Sequence, residues 1–172
     1  VEYNEHVPFV GKAILQKHGR QFLLVNPPAR PLTTAEMDEV AELPYVREPH
    51  PMYDEMGGVP AIEEVRFSVT HNRGCFGACN FCSLAFHQGR VISCRSHQSV
   101  IREVKALTEH PGFKGYIHDV GGPSATFRRP SCQKQLKHGM CKNRACLAPE
   151  ACPNLDADHT DYLMLLRKIR QV

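Results

Sequence analysis

The sequence predicts an α/β fold, because two strand–loop–helix units follow one another in its second part. Val65, Phe67 and Val69 alternate with polar residues, which is the period-two pattern of a strand. A second apolar segment, residues 115–120, ends at two glycines and a proline. In parallel α/β folds, catalytic and binding residues gather at the C-terminal ends of the strands. We therefore expect any site in the loops that follow these two strands.

Residues 1–60 hold eight of the thirteen prolines. Residues 22–25 are a short apolar run that predicts a strand, and two prolines end it by removing backbone donors. Thr33 and the residues up to Met37 indicate a capped, short helix. With little other periodicity, we interpret 1–60 as a Pro-rich, mostly irregular connecting or wrapping segment without a catalytic signal.

Two helices are predicted in the second part. Val104 and Leu107, with apolar neighbours one turn earlier, mark one face of a helix over 97–109, for which Ser96 is a suitable N-cap. After a long irregular stretch, apolar residues spaced i, i+3, i+4 and i+7 from Tyr162 predict a final helix capped by Thr160.

Composition and charge exclude some classes of protein. A hydrophobic content of 42% and a charged content of 23% indicate a globular chain, and no apolar run is long enough to span a membrane. The net charge of +3 is uneven, because 1–60 carry nine acids and five bases whereas 61–172 carry nine acids and sixteen bases. A basic half attracts nucleic acid, phosphates or a carboxylate-bearing cofactor, but pairs such as Arg128 with Arg129 also suit a solvated basic surface.

A first cysteine cluster follows the first predicted strand. Cys75, Cys79 and Cys82 have the spacing C-x3-C-x2-C. Three soft thiolates suit a 4Fe–4S cluster with one iron left open, or zinc with a fourth ligand such as His71 or His87. Three cysteines cannot all pair with one another and no secretory signal is visible, so we favour a metal over disulfides and expect a cytoplasmic protein.

The residues around this cluster carry a family resemblance. The relevant segments are Arg73-Gly74-Cys75-Phe76-Gly77, His87-Gln88-Gly89-Arg90, Asp119-Val120-Gly121-Gly122-Pro123 and Asn26-Pro27-Pro28. Together they resemble the radical S-adenosylmethionine (radical SAM) superfamily and, within it, the YgiQ-type proteins. The resemblance implies that 61–172 are the N-terminal part of a radical SAM partial (β/α) barrel, with a Cys-rich insertion at about 131–155.

The resemblance also implies roles for individual residues. Cys75, Cys79 and Cys82 would bind three irons of a 4Fe–4S cluster, and S-adenosylmethionine would chelate the fourth. Phe81 matches the position that packs on the adenine. Gly121 and Gly122 match the start of a Gly-Gly-Glu motif that contacts the methionine amino group. Pro123 replaces the glutamate, so we expect Ser124 or a backbone carbonyl to supply that contact.

Family members cleave S-adenosylmethionine reductively to a 5′-deoxyadenosyl radical, which removes a hydrogen from a substrate. The resemblance thus implies an electron donor such as flavodoxin or ferredoxin and a substrate that these residues do not identify. Only two strands, or three with 22–25, are recognisable, which are too few to close a barrel. We therefore expect the 172 residues to be part of a longer protein, to lack N- and C-terminal parts of it, and to be inactive alone.

A second cysteine cluster lies in the irregular stretch. Cys132, Cys141, Cys146 and Cys152 are spaced C-x8-C-x4-C-x5-C among several lysines and arginines. Structural zinc, an auxiliary 4Fe–4S cluster and no metal at all remain open for them. Cys94 is interpreted as a small core residue.

Two other functions are compatible with the same residues. The chain could be a non-catalytic zinc-binding structural module, or a radical SAM enzyme that acts on RNA.

His118 and Asp119 could face the site from the second strand. The stretch 156–161 is interpreted as a polar lead-in to the last helix rather than as a site for a hard cation.

Overall fold

The computed structural model describes residues 7–123 and 125–172, which form short strands and helices in a mixed α/β arrangement. In chain order these elements are β1 (Ile14–His18), β2 (Gln21–Val25), α1 (Thr34–Ala41), a 3-10 helix (Pro51–Met56), α2 (Ile62–Val65), β3 (Ser68–Thr70), β4 (Asn72–Arg73), α3 (Leu84–His87), β5 (Ser93–Cys94), α4 (His97–Thr108), β6 (Asp119–Gly121), α5 (Gln133–His138) and α6 (Thr160–Ile169). Among these residues, no helix has the length and apolar character needed to cross a membrane.

The predicted parallel strands are present but shorter than expected. β3 and β6 pair in parallel, with Val69 opposite Val120 and Thr70 opposite Gly121. Val65 lies in α2 and is exposed, so its place in the alternating pattern does not reflect a strand. Gly115 has a φ of 93°, which interrupts an extended backbone before β6 begins. Because the pair is parallel, the C-terminal ends of both strands lie at the same edge.

The chain from β3 to β4 has neighbours on both sides. The amide of His71 donates to the carbonyl of Gly121 at 2.8 Å, and the amide of Arg95 donates to the carbonyl of His71 at 2.9 Å. β4 pairs antiparallel with β5, a two-residue strand that the sequence did not indicate. In the described parts of the chain the strands form three two-stranded sheets, and no barrel is present.

Two apolar clusters hold these elements together. The first contains Phe67 and Val69 next to β3, three residues of α4 and Leu165 of α6. The second contains Phe76, Ile92, Phe127 and Met140, and it lies under the loop of the first three cysteines. Burial of this apolar surface is the main force that orders such short strands.

The N-terminal segment is more regular than expected. β1 and β2 pair antiparallel as a hairpin, with Ile14 opposite Val25. Residues 22–25 therefore pair with β1 and do not extend the parallel pair, which corrects their interpretation as a third barrel strand. α1 has the predicted start: Thr33 and Glu36 form a capping box, and Met37 is buried.

The two long helices also match the predictions, except for one cap. Ser96 Oγ accepts from the amide of Ser99 at 3.1 Å, so the predicted N-cap of α4 is confirmed. Leu165 of α6 is fully buried, as its spacing predicted. Thr160 as the cap of α6 is wrong, because Thr160 is the first residue of the helix and His159 occupies the N-cap position. The carboxylate of Asp158 accepts from the amide of Thr160 at 2.8 Å.

Candidate functional site

The loop of residues 74–82 leaves β4 at the edge where β3 and β6 both end. Gly74 has a φ of 84°, and a Cβ on it would stand 2.1 Å from the carbonyl oxygen of Val91. Only glycine therefore fits this position. The amide of Gly74 donates to Gln88 Oε1 at 3.2 Å, and the amide of Cys75 donates to the carbonyl of Gly89 at 3.0 Å. These bonds hold the start of the loop against residues 88–91.

The three thiols lie on this one turn. Cys75 and Cys82 are half-buried and Cys79 is exposed. Cys75 Sγ and Cys79 Sγ lie 3.3 and 3.6 Å from the point that a Cβ on Gly77 would occupy, and the amide of Gly77 donates to Cys75 Sγ at 3.4 Å. As the side chains stand in residues 7–123 and 125–172, no three His, Cys, Asp or Glu groups are placed to hold a metal ion. The loop thus brings Cys75 and Cys79 close together without completing a three-thiol set.

Two phenylalanines of the loop point in opposite directions. Phe76 is fully buried and stacks on Phe127, with the ring centroids 3.9 Å apart. Phe81, the residue expected to pack on adenine, is 93% exposed. Phe76 therefore anchors the loop, and Phe81 presents a free aromatic face to solvent beside the cysteines.

Gly121 ends β6, and Gly122, which follows it, lies against Asn72 of β4. A Cβ on Gly122 would stand 2.1 Å from Asn72 Oδ1 and 2.7 Å from the Asn72 carbonyl oxygen. Asn72 is fully buried and donates from Nδ2 to the carbonyl of Phe127 at 3.0 Å, whereas its Oδ1 has no hydrogen-bond partner within the described residues. Pro123 is buried, and Ser124 lies outside the described residues. The structure thus places Gly122 next to a residue three positions before Cys75.

A buried polar network underlies this edge, and the sequence did not indicate it. Arg128 donates to Asp161 Oδ2 at 2.6 Å, to the carbonyl of Arg95 at 2.7 Å and to His71 Nδ1 at 3.1 Å. Its side chain is 4% exposed, whereas that of Arg129 is 51% exposed. The reading of both arginines as a solvated basic surface is therefore wrong for Arg128, because its charge is neutralised by Asp161.

The network shifts two pKa values. Burial lowers the pKa of His71 to about 4, and the charges of Arg128 and Arg95 add to this effect. Burial alone would raise the pKa of Asp161, but hydrogen bonds and charge from Arg128 and His97 outweigh it and lower that pKa. The imidazole of His71 is therefore neutral and accepts from Arg128, while its Nε2 has no partner in the described part of the chain.

Two residues of the second strand lie farther from the cysteine loop than expected. β6 begins at Asp119, so His118 and Asp119 stand at its start rather than at its end. His118 is exposed, and its amide donates to the carbonyl of Phe67 at 3.0 Å. His118 is therefore not placed to face the site from the strand end, and its Nδ1 lies 3.4 Å from the carbonyl oxygen of Glu64. The side chain of Asp119 turns towards Gly121, because its carboxylate lies 2.6 Å from the position that a Cβ on Gly121 would occupy.

The second cysteine set converges on one cavity. Cys132, Cys141, Cys146 and Cys152 all line a cavity of about 20 Å³, together with Arg144. Cys94 is separate from both sets: its Sγ lies 3.2 Å from the carbonyl oxygen of Arg128, and burial raises its pKa to about 12. All eight cysteines are free thiols.

Comparison with known proteins assigns relatives to the whole chain. Residues 1–68 match the family model described as Radical SAM N-terminal. A UPF0313 protein of Clostridium botulinum is 54% identical to the chain over all 172 residues, which cover 27% of that relative. A UPF0313 protein of Clostridium perfringens is 45% identical over 172 residues, which cover 26% of it. The three cysteines of the loop follow directly after the segment that the family model matches.

Proposed function

We propose that the chain is part of a YgiQ-type (UPF0313) radical SAM protein and that Cys75, Cys79 and Cys82 hold a 4Fe–4S cluster that binds S-adenosylmethionine. The observation that carries the proposal is their position: three thiols on one turn, at the edge where two parallel strands end. The whole protein would then be a radical SAM enzyme, and its substrate is open.

The donor set fits an iron–sulfur cluster. Thiolates are the ligands that such clusters require, and backbone amides that donate to cysteine sulfur are a means of stabilising them. Gly77 supplies one such amide to Cys75, and a side chain at this position would crowd the sulfurs of Cys75 and Cys79. The exposed thiol of Cys79 and the half-buried thiol of Cys82 leave the outer side of the turn accessible for a cluster.

We further propose that β3 and β6 are the first two strands of a partial (β/α) barrel formed by 61–172 and by other parts of the protein. In this proposal 1–60 connect or wrap around that core, and about 131–155 are an insertion. The parallel register of β3 and β6, with α4 between them in sequence, supports it. A barrel that lacks most of its strands leaves edges unpaired. We therefore expect the isolated 172 residues to bind a cluster poorly and to form no 5′-deoxyadenosine.

The chain offers three features for S-adenosylmethionine. Phe81 presents an exposed ring on which an adenine can stack. Gly122 is exposed and carries no side chain, so a ligand can approach the backbone closely at the end of β6. The unpartnered Oδ1 of Asn72 is an acceptor for the methionine amino group, a contact that the side chain of Pro123 cannot make. Because Asn72 is fully buried beneath Gly122, this contact requires the backbone at Gly122 to shift when the ligand binds.

A 4Fe–4S cluster held by Cys75, Cys79 and Cys82 would supply the one-electron reduction of S-adenosylmethionine, with a flavodoxin- or ferredoxin-type protein as the electron donor. The protein residues supply placement for this chemistry. Phe76, stacked on Phe127, holds the cysteine loop on its apolar base. The free thiols agree with a reducing cytoplasm, which is where we place the protein.

The test is the iron and sulfide content of the full-length protein, purified and reconstituted without oxygen. We expect about four irons and four sulfides per chain at this site. These should be lost in C75A/C79A/C82A and kept in the matched control Cys94→Ala, which removes a thiol outside both sets. A colourless protein that carries zinc on these three cysteines would instead support the zinc-module alternative.

A further inference from the structure

The second cysteine set is a site that the proposed function does not use. Its four members come from residues that span 21 positions, yet all of them line one cavity of about 20 Å³. Four independent thiols around so small a space are not expected from packing alone, since buried cysteines usually occur singly as small apolar side chains.

Backbone hydrogen bonds bring the four cysteines together. The amide of Cys152 donates to the carbonyl of Cys146 at 2.8 Å, and the amide of Asp156 donates to the carbonyl of Ser131 at 2.7 Å. The second bond joins the two ends of the segment, so that Ser131 and Asp156 lie side by side. The cavity is therefore a built feature of the backbone.

Burial raises the pKa of the Cys146 thiol, but hydrogen-bond donors and positive charge also lie around the cavity. Ser131 Oγ lies 3.2 Å from Cys146 Sγ, and Lys134 Nζ donates to Cys141 Sγ at 3.6 Å. Arg144 also lines the cavity. Hydrogen-bond donors and positive charge around thiolates are the outer partners that a metal–thiolate site needs.

We propose that Cys132, Cys141, Cys146 and Cys152 bind one zinc ion as a structural four-thiolate site. Four thiolates complete the tetrahedral ligand set of structural zinc, and a single ion needs less room between the four cysteines than a 4Fe–4S cube with eight core atoms. The side chains as they stand do not converge on one point, so zinc binding requires them to rotate. An auxiliary cluster is the alternative that metal analysis distinguishes.

Zinc at this position would hold residues 131–155 against the apolar residues beneath the cysteine loop. The only helix described between residues 131 and 155 has six residues, so secondary structure contributes little order to this segment. Met140 belongs to the cluster that contains Phe76 and Phe127, and Cys146 and Leu155 pack against that cluster. The ion would therefore order the surface on which residues 74–82 rest. This inference does not require that Cys75, Cys79 and Cys82 hold a cluster.

The test measures zinc and iron by mass spectrometry in the full-length protein with C75A/C79A/C82A, so that the first set contributes no metal. Adding Cys132→Ser and Cys146→Ser should remove one zinc per chain, and adding Cys94→Ser as the matched control should remove none. Equal zinc in both proteins, or iron and sulfide lost in place of zinc, would overturn the assignment.

A second measurement covers the case in which the Cys132→Ser/Cys146→Ser protein does not fold. Folded C75A/C79A/C82A protein is titrated with an organomercurial reagent while a chromogenic chelator reports released zinc. Release of one zinc as four thiols react supports the site. If no zinc is released, or if zinc release is not proportional to the reaction of those four thiols, the proposed zinc site is wrong.

Discussion

Phe76 and Phe127 stack with their ring centroids 3.9 Å apart and their planes inclined by 24°. Phe76 directly follows Cys75, and the carbonyl of Phe127 accepts from Asn72, so this one contact joins the cysteine loop to the glycine side of the site. The stack lies at the centre of the second apolar cluster.

Phe76→Ala should lower the free energy of unfolding by about 3–5 kcal/mol, because it removes a fully buried aromatic ring and leaves a cavity. Denaturant unfolding of the full-length protein measures this loss. Phe81→Ala is the matched control: its ring is 93% exposed, so stability should change by about 0.5 kcal/mol or less. Similar losses in both variants would show that the stack does not anchor the loop.

Stability should fall as the pH is lowered from about 6.5 to 4, because of His71. Its pKa is lowered by burial and by Arg128 and Arg95, so the unfolded chain binds a proton in this window and the folded chain does not. The difference corresponds to about 3 kcal/mol over the whole window. Asp161, whose pKa is lowered, opposes the shift at His71 and weakens the fold only at still lower pH.

The measurement compares denaturation midpoints between pH 7 and pH 4 for the natural protein, His71→Gln and His18→Gln. His71→Gln should flatten the dependence, since glutamine keeps an acceptor for Arg128 and does not titrate. The exposed His18 is the control and should leave the slope unchanged. If the denaturation midpoint of His71→Gln depends on pH as steeply as that of the natural protein, protonation of His71 is not the cause of the pH dependence.

The Ser96 cap of α4 and the capping box of α1 could be predicted because each depends on residues close in sequence. The parallel β3–β6 pair joins distant residues, and it could be predicted because the strand–loop–helix order is typical of a parallel α/β fold. The hairpin partner of residues 22–25 could not, since β1 has no clear alternation and both strands are largely exposed. For such strands the apolar pattern does not determine the pairing.

The same holds for the candidate site. The cysteines could be identified from their C-x3-C-x2-C spacing, and the two glycines from their adjacent positions after an apolar segment. His71, Asn72, Arg95, Arg128 and Asp161 come together only through tertiary contacts across separate elements. No local pattern distinguishes buried Arg128 from exposed Arg129, so only the fold identifies the network.

Gly122→Ala should disturb the end of β6, because the new methyl group would stand 2.1 Å from Asn72 Oδ1 and 2.7 Å from a backbone oxygen. We expect a loss of stability of about 1–3 kcal/mol and weaker binding of S-adenosylmethionine. Denaturant unfolding and equilibrium dialysis measure the two effects. Gly112→Ala is the control, since its Cβ would meet nothing closer than 3.3 Å. A Gly122→Ala protein as stable as this control would refute the close packing.

Asn72→Ala should weaken binding of S-adenosylmethionine about tenfold or more, which is the contribution of one hydrogen bond to a charged group. The iron content should stay unchanged, because Asn72 is not one of the residues proposed to bind the cluster. Equilibrium dialysis of the cluster-loaded, full-length protein measures the affinity, with exposed Asn26→Ala as the control. Equal affinities in the two variants would remove Asn72 from the binding site.

The most direct test of the central proposal is 5′-deoxyadenosine formation by the reduced, cluster-loaded, full-length protein with S-adenosylmethionine, quantified by mass spectrometry. The proposal predicts formation by the natural protein and by Cys94→Ala, and none by C75A/C79A/C82A. Equal amounts of 5′-deoxyadenosine from the triple variant would contradict it, because the cleavage would then not depend on these three cysteines.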